Sequence, residues 1–453
     1  MRKNIDMLNG ALGPAIIRFA IPVILTTLLQ NLFNTADLIV VGQFCGSLKV
    51  AAVTATGSLT NLLVGLFTGL SLGAGLTVAR SLGSNQSEDV SRAVHTAIPA
   101  ALIGGLFLSV VGVIFSPVLL EWMNTPEDIL LLSSLYMRIY FAGILFTVMY
   151  NFCTAILRAA GDTKTPLYYL MISGALNVAL NVLFVAVCKL DVAGVAIATI
   201  ISQGVSAALV LITLVRRTDA CKLSFKKMHI YKESLASILR IGLPAGIQSS
   251  LFSISNVITA SAMNSFNSAA MLSGNGASQS IEVFTDAIGV GFTQTAPNFV
   301  AQNLGARQYD RIKRSFVTCM GCSAIFVFST SFAMFLFGKQ LLGLYITDSA
   351  EAISYGLIRM RYMLLLSFLM AIMTVSTGGL QGLGHSLAAT VITLITSCAL
   401  RIVWVYTVFQ IPAFHTLNCL YVMYPLSWIL TTFIQVVLFA VFLKRIMRAD
   451  TQS

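Results

Sequence analysis

Residues 14–44 read PAIIRFAIPVILTTLLQNLFNTADLIVVGQF, with Arg18 and Asp37 as the only charges and Pro22 as the only break inside the run. A helix crosses a bilayer with ~20 mostly apolar residues, so this stretch is long enough. Lipid offers no hydrogen-bond partners, and a lone segment satisfies its own N–H and C=O groups only as a helix. Eleven further runs of the same kind follow, at 48–78, 91–117, 128–156, 164–188, 191–215, 238–265, 270–300, 314–337, 350–379, 386–410 and 416–443. The pattern predicts an all-α integral membrane protein of twelve transmembrane helices.

Composition agrees. Of 453 residues 57% are hydrophobic and only 10% are charged, against about 25% charged in a soluble domain. That excludes a soluble enzyme, a nucleic-acid binder and a disordered chain. The net charge of +11 belongs to loops instead. Outer loops hold only Lys49, Lys189 and Lys339, while Arg2, Lys3, the 216–240 stretch and Lys444, Arg445 and Arg448 crowd the opposite side. Positive residues stay cytoplasmic, so the expected location is the cell membrane, multi-pass, with both termini in the cytoplasm. The first apolar run is too long for a signal-peptide core and reads as a span. The eight cysteines are scattered through apolar runs, and Cys319-x-x-Cys322 has no second ligand pair, so these are packing residues and no metal is expected there.

The halves repeat. A shift of 222 residues places Arg18 on Arg240, Pro22 on Pro244, Asn34 on Asn256, Gly69 on Gly291, Leu82-Gly83 on Leu304-Gly305, Gln86 on Gln308 and Arg92 on Arg314. This divides the chain into an N-lobe of six helices (1–215), a basic cytoplasmic linker (216–237) with a short interfacial helix at Leu223–Tyr231, and a C-lobe of six helices (238–453). Six spans per copy insert both copies the same way up, related by a pseudo-twofold axis along the membrane normal. Such repeats mark secondary transporters. No phosphate-cradling GxxxxGK[ST] loop is present, so energy would come from an ion gradient.

Of the 17 acidic residues, only Asp37, Glu282 and Asp286 fall well within spans. A carboxylate at mid-membrane costs about 2.5–3.5 kcal/mol on insertion scales, which makes these the first functional candidates. Asn34 and Gln30 precede Asp37 by about one and two turns on the same face. The sharper reading of Asp37 is a proton- or cation-binding carboxylate, the blander one an interhelical polar contact. Glu282 and Asp286 are one turn apart and would share a proton or a cation, as a substrate or second coupling site together with Gln30. Pro22 and Pro244 each remove a backbone hydrogen bond early in the first helix of a lobe, as a hinge or a plain kink. His95 and His385 read as surface or interfacial residues near helix ends, with His229 in the linker and His415 in an outer loop.

At this point the chain resembles the multidrug and toxic compound extrusion (MATE) antiporters. The carriers are Asp37-Leu-Ile-Val-Val-Gly42, Ala79-Arg-Ser-Leu-Gly83 and its repeat Ala301-Gln-Asn-Leu-Gly-Ala306. With them go Leu157-Arg-Ala-Ala-Gly-Asp-Thr-Lys-Thr-Pro166 and Ser280-Ile-Glu282, which is closer to the DinF-like branch. The resemblance implies two six-helix bundles that export lipophilic organic cations and drugs by alternating access, coupled to H+ or Na+. It implies no cofactor beyond that ion. It also implies an N-lobe ion site at Asp37, Asn177, Asn181 and Thr199. Asn181 departs from the pattern, which has a carboxylate there, and this should weaken sodium binding. The partners expected are cationic small molecules and membrane lipids, with no nucleic acid. A cavity within one chain requires only a monomer. The rival readings are a flippase of a lipid-linked precursor, which would want a cationic cavity, and an intramembrane enzyme, for which no nucleophile–base set is present.

Overall fold

The computed structural model describes Asn4–Gln452, and among these residues there are helices and no strand. Arg2 and Lys3, counted above with the cytoplasmic positives, lie outside the described residues. The helices are α1 Leu12–Cys45, α2 Ser47–Gly83, α3 Ser87–Trp122, α4 Glu127–Ala142, α5 Ile144–Ala159, α6 Lys164–Asn181, α7 Asp191–Arg216 and α8 Lys232–Asn264. They continue as α9 Ala269–Gly305, α10 Tyr309–Leu336, α11 Gly338–Gly343, α12 Ala350–Met363, α13 Ser367–Gly382, α14 Ser386–Thr393, α15 Leu400–Tyr406 and α16 Leu417–Gln452.

These account for the twelve spans. Helices α4 and α5 form one span bent by 47°, and α12 and α13 another bent by 42°. Helix α6 runs on through a π turn at Val182–Val187, and α14 reaches α15 through a π turn at Leu394–Ala399. Nine helices and the two bent pairs are long and apolar enough to cross a membrane. The remaining span, α9, has the length but carries Asn275, Gln279, Glu282 and Asp286. These polar residues lower its hydropathy below that of the other spans.

The chain packs as two compact units. Unit 1 holds Leu25–Ser250 with the residues up to Ile5, and unit 2 holds Asp6–Ile24 with the residues from Leu251 onward. The division therefore runs inside α1 shortly after Pro22 and inside α8 within two turns of Pro244. Both prolines sit within continuous helices.

Within unit 1, α2 and the start of α8 approach until their backbones touch. Gly65, Gly69 and Gly73 recur every fourth residue on α2; Gly69 and Gly73 face Gly242 and Gly246 on α8, and Gly65 faces Ser249. A Cβ at Gly69 would lie 2.2 Å from the Gly246 nitrogen, and one at Gly73 would lie 2.3 Å from the Ile238 carbonyl oxygen. Small residues at such spacing are what lets helices associate where lipid removes the hydrophobic drive between them. Gly69→Val should force the two helices apart. The expected loss is about 1–3 kcal/mol, read as a lowered Tm of the purified protein.

The linker differs from expectation. In place of a helix at Leu223–Tyr231 there is a single 3-10 turn at Phe225–Lys227. The remainder is extended because it docks on α3: Ser224 N–H donates to His95 Nε2 at 3.0 Å, and Tyr231 N–H to Thr96 Oγ1 at 3.1 Å. His95, read above as a surface or interfacial histidine, is only 2% exposed as a result. Its Nδ1 bonds the Ser91 carbonyl at 2.7 Å, so both ring nitrogens are occupied. Arg217 forks onto Asp219, which also accepts the Cys221 N–H. Burial pushes the Asp219 carboxyl up, but the Arg217 bonds and charge outweigh it and hold the group below its ordinary range.

Candidate functional site

In unit 1, α1 and α6 pack tightly because Gly174 leaves no side chain where the Phe33 ring lies. One to two turns along from these residues the two helices bring polar groups together. Asn181 Nδ2 donates to Asp37 Oδ1 at 2.5 Å and also approaches Asn177 Oδ1 at 3.3 Å. Asn181 is fully buried at the last residue of α6, where the π turn begins, and π turns often mark functional positions. From α7, the Thr199 side chain lies beside the same carboxylate. Its proton is already given to the Val195 carbonyl at 2.9 Å, so its oxygen can only accept.

The result is a set of oxygens with few donors. Asn181 Oδ1 is buried and has no hydrogen-bond partner among the described residues. Asp37 forms no ion pair with Lys, Arg or His among the described residues. Asp37, Asn177, Asn181 and Thr199 thus offer a carboxylate and neutral oxygens to something positive. A proton on Asp37 could be donated to Thr199, and a hard cation such as Na+ prefers all-oxygen ligands. Beyond the site, Val40, Val41, Val185 and Val195 form a buried apolar cluster with Tyr136 packed against it. Tyr136 was not legible beforehand, since one tyrosine in an apolar helix carries no signal of what it will face.

In unit 2 the outcome departs from the expected carboxyl pair. Glu282 is locked: Arg359 Nε and Nη2 donate to its two oxygens at 2.8 and 2.7 Å, and Ser278 Oγ adds a third bond at 3.0 Å. Arg359 Nη1 donates to Asn275 Oδ1 at 2.8 Å, which also accepts from Tyr421 OH at 3.0 Å. Glu282 is therefore paired with Arg359 and makes no hydrogen bond to Asp286 among the described residues. The two side chains of the pair are 12% and 11% exposed. Asp286, one turn on, is exposed and forms no hydrogen bond or ion pair among the described residues. Of the two acids on α9, it is the one without a partner among the described residues.

The MatE family model matches residues 22–183 and again 244–407, two segments whose starts lie 222 residues apart, as the internal repeat does. The chain belongs to the MatE family. This is the MATE family that the motifs resemble, and membership makes the protein a multi-pass membrane transporter and not an enzyme. Over 339 residues, 73% of each chain, it is 29% identical to the probable multidrug resistance protein YoeA of Bacillus subtilis (strain 168). Over 417 residues it is 24% identical to the multidrug export protein MepA of Staphylococcus aureus (strain NCTC 8325 / PS 47), covering 91% of this chain and 89% of that one. Its fold is similar, with a TM-score of 0.90 at 19% identity and 99% coverage of both chains, to an outward-facing multidrug resistance MATE family transporter of the MOP superfamily.

For this MatE protein, then, the residues suggested for the N-lobe by resemblance are gathered at one place: Asp37, Asn177, Asn181 and Thr199. Asn34 and Gln30 share the α1 face but make no hydrogen bond to Asp37 among the described residues; Asn34 is exposed and Gln30 half-buried. Cys319 is buried and its thiol donates to the Phe292 carbonyl at 3.7 Å, in line with a packing role.

Proposed function

We propose that this MatE protein is a cation-coupled antiporter of the cell membrane, acting as a monomer with both termini cytoplasmic. It exports lipophilic organic cations by alternating access. The observation that carries the reading is Asp37: a carboxylate inside a span that, among the described residues, faces neutral oxygens and no basic side chain, beside a buried carbonyl oxygen with nothing to accept from. With Asp37 ionised, the protein attracts and holds the cationic drug. An arriving H+ or Na+ neutralises that charge, weakens the attraction and lets α1 rearrange about Pro22, with Pro244 as its counterpart in α8. Asp286 supplies the acid that meets the substrate in unit 2. One charge crossing 100 mV is worth about 2.3 kcal/mol, and 1.4 kcal/mol is tenfold, so a single coupled charge sustains a substrate gradient of tens-fold.

The test is export of ethidium from proteoliposomes under proton and sodium gradients imposed separately. Export driven by neither gradient would remove the coupling. Asn181→Asp restores a second carboxylate beside Asp37. It should raise the sodium-driven rate several-fold relative to the proton-driven one, read in the same vesicles at matched pH. An unchanged ratio would mean that Asn181 does not set ion preference.

A further inference from the structure

Unit 2 holds a second buried guanidinium, and it is treated quite differently from Arg359. All three nitrogens of Arg359 have oxygen acceptors and its charge is matched by Glu282. Arg401 is 3% exposed, well inside the Ser386–Gln410 span, and no carboxylate pairs with it among the described residues. Its Nε and Nη2 share one neutral acceptor, the Ser427 hydroxyl, at 3.3 and 3.1 Å. Ser427 is itself committed to the Tyr424 carbonyl at 2.7 Å. The guanidinium carbon lies 4.3 Å from the Tyr424 ring centroid, so the ring covers one face of the plane. Nη1 has no protein acceptor among the described residues, and it is not one of the unpartnered atoms sealed from open space. The ionisable groups that act electrostatically on Arg401 are the Tyr424 phenol and the Cys398 thiol.

A cation this deep without a counter-charge is far less stable than a paired one, and intramembrane ionisable groups are retained for function. A merely structural arginine would have its edges filled, as Arg359 has. We propose that Arg401 is the centre of an anion-binding site in unit 2, taking one singly charged anion on its open Nη1/Nη2 edge. Stacking on Tyr424 leaves that edge in the plane where a carboxylate is gripped by two parallel N–H bonds. The same edge would hold chloride. The source of the charge is therefore either a carboxylate carried by an organic substrate or chloride from the medium. The inference rests on the packing around Arg401 and stands apart from the antiport reading.

Two of the three tryptophans, Trp404 and Trp428, belong to the packed cluster around this place, and Trp428 is 6.1 Å from Tyr424 between ring centroids. The test uses the purified full chain in lipid nanodiscs. Sodium benzoate and sodium chloride are each titrated at ionic strength held constant with sodium sulfate, reading tryptophan emission and Tm. The expected result is a saturable change with at least one of the two anions. Arg401→Gln should raise its dissociation constant at least tenfold, and Arg401→Lys should raise it less. Saturation by benzoate alone assigns the site to a substrate carboxylate, and saturation by chloride assigns it to the ion. The absence of a saturable response to either anion in the unaltered protein overturns the proposal, whatever the variants do. So does a response that Arg401→Gln and Arg401→Lys both leave intact. Loss of ethidium export with the anion response preserved would count against the antiport mechanism and not against this site.

Discussion

Asp37→Asn should abolish ion-driven export while leaving the protein folded. In proteoliposomes under an imposed proton or sodium gradient, ethidium export should fall at least tenfold, with Tm close to that of the unaltered protein. The reason lies in what the substitution keeps and what it removes. An asparagine has the same shape and still offers a carbonyl oxygen to Asn181 Nδ2, which now donates to Asp37 at 2.5 Å. The contact between α1 and α6 persists. What is lost is the only group in that cluster able to change charge: Asn177, Asn181 and Thr199 are all neutral at any cellular pH. The site would then attract neither the drug nor the coupling ion electrostatically. Export that persists at the original rate, with the same response to the gradients, would remove Asp37 from the mechanism.

Glu282→Gln should act on stability first. Breaking a buried ion pair by removing one partner leaves the other charge uncompensated and costs about 3–5 kcal/mol. Here the stranded group would be Arg359, whose Nε and Nη2 both rely on Glu282. A pronounced fall in Tm is expected. A double variant, Glu282→Gln with Arg359→Gln, should recover much of the loss, because the two residues act as one unit and their effects are not additive. A Glu282→Gln protein with unchanged Tm but no export would indicate instead that Glu282 carries the ion or the drug and that Arg359 is dispensable. Asp286→Asn offers the contrast. That acid has no partner to strand among the described residues, so its loss should reduce affinity for a cationic drug without lowering Tm.

These expectations depend unequally on sequence and coordinates. Lipid requires each run of some twenty apolar residues to close its own backbone bonds, so the helices and their number follow from residues 14–44 and their successors alone. The repeat, from Arg18 onto Arg240 through Arg92 onto Arg314, and the depth of Asp37, Glu282 and Asp286 are equally one-dimensional properties. The grouping of Asp37, Asn177, Asn181 and Thr199 was implied by the family resemblance and by no pattern in the residues themselves. What a sequence cannot carry is which side chain a charge will meet. Glu282 and Asp286 look equivalent, one turn apart on α9, yet Arg359 on α12, 77 residues away along the chain, reaches the first. His95 looked peripheral until the linker folded back over α3. Arg401 is buried within a span as Arg359 is, and what sets it apart is that no carboxylate faces it among the described residues. Backbone satisfaction is local and leaves its mark on composition, whereas the partner of a buried charge is chosen by helices packing across long separations. Tertiary structure alone decided which acids are free to bind and which are already neutralised.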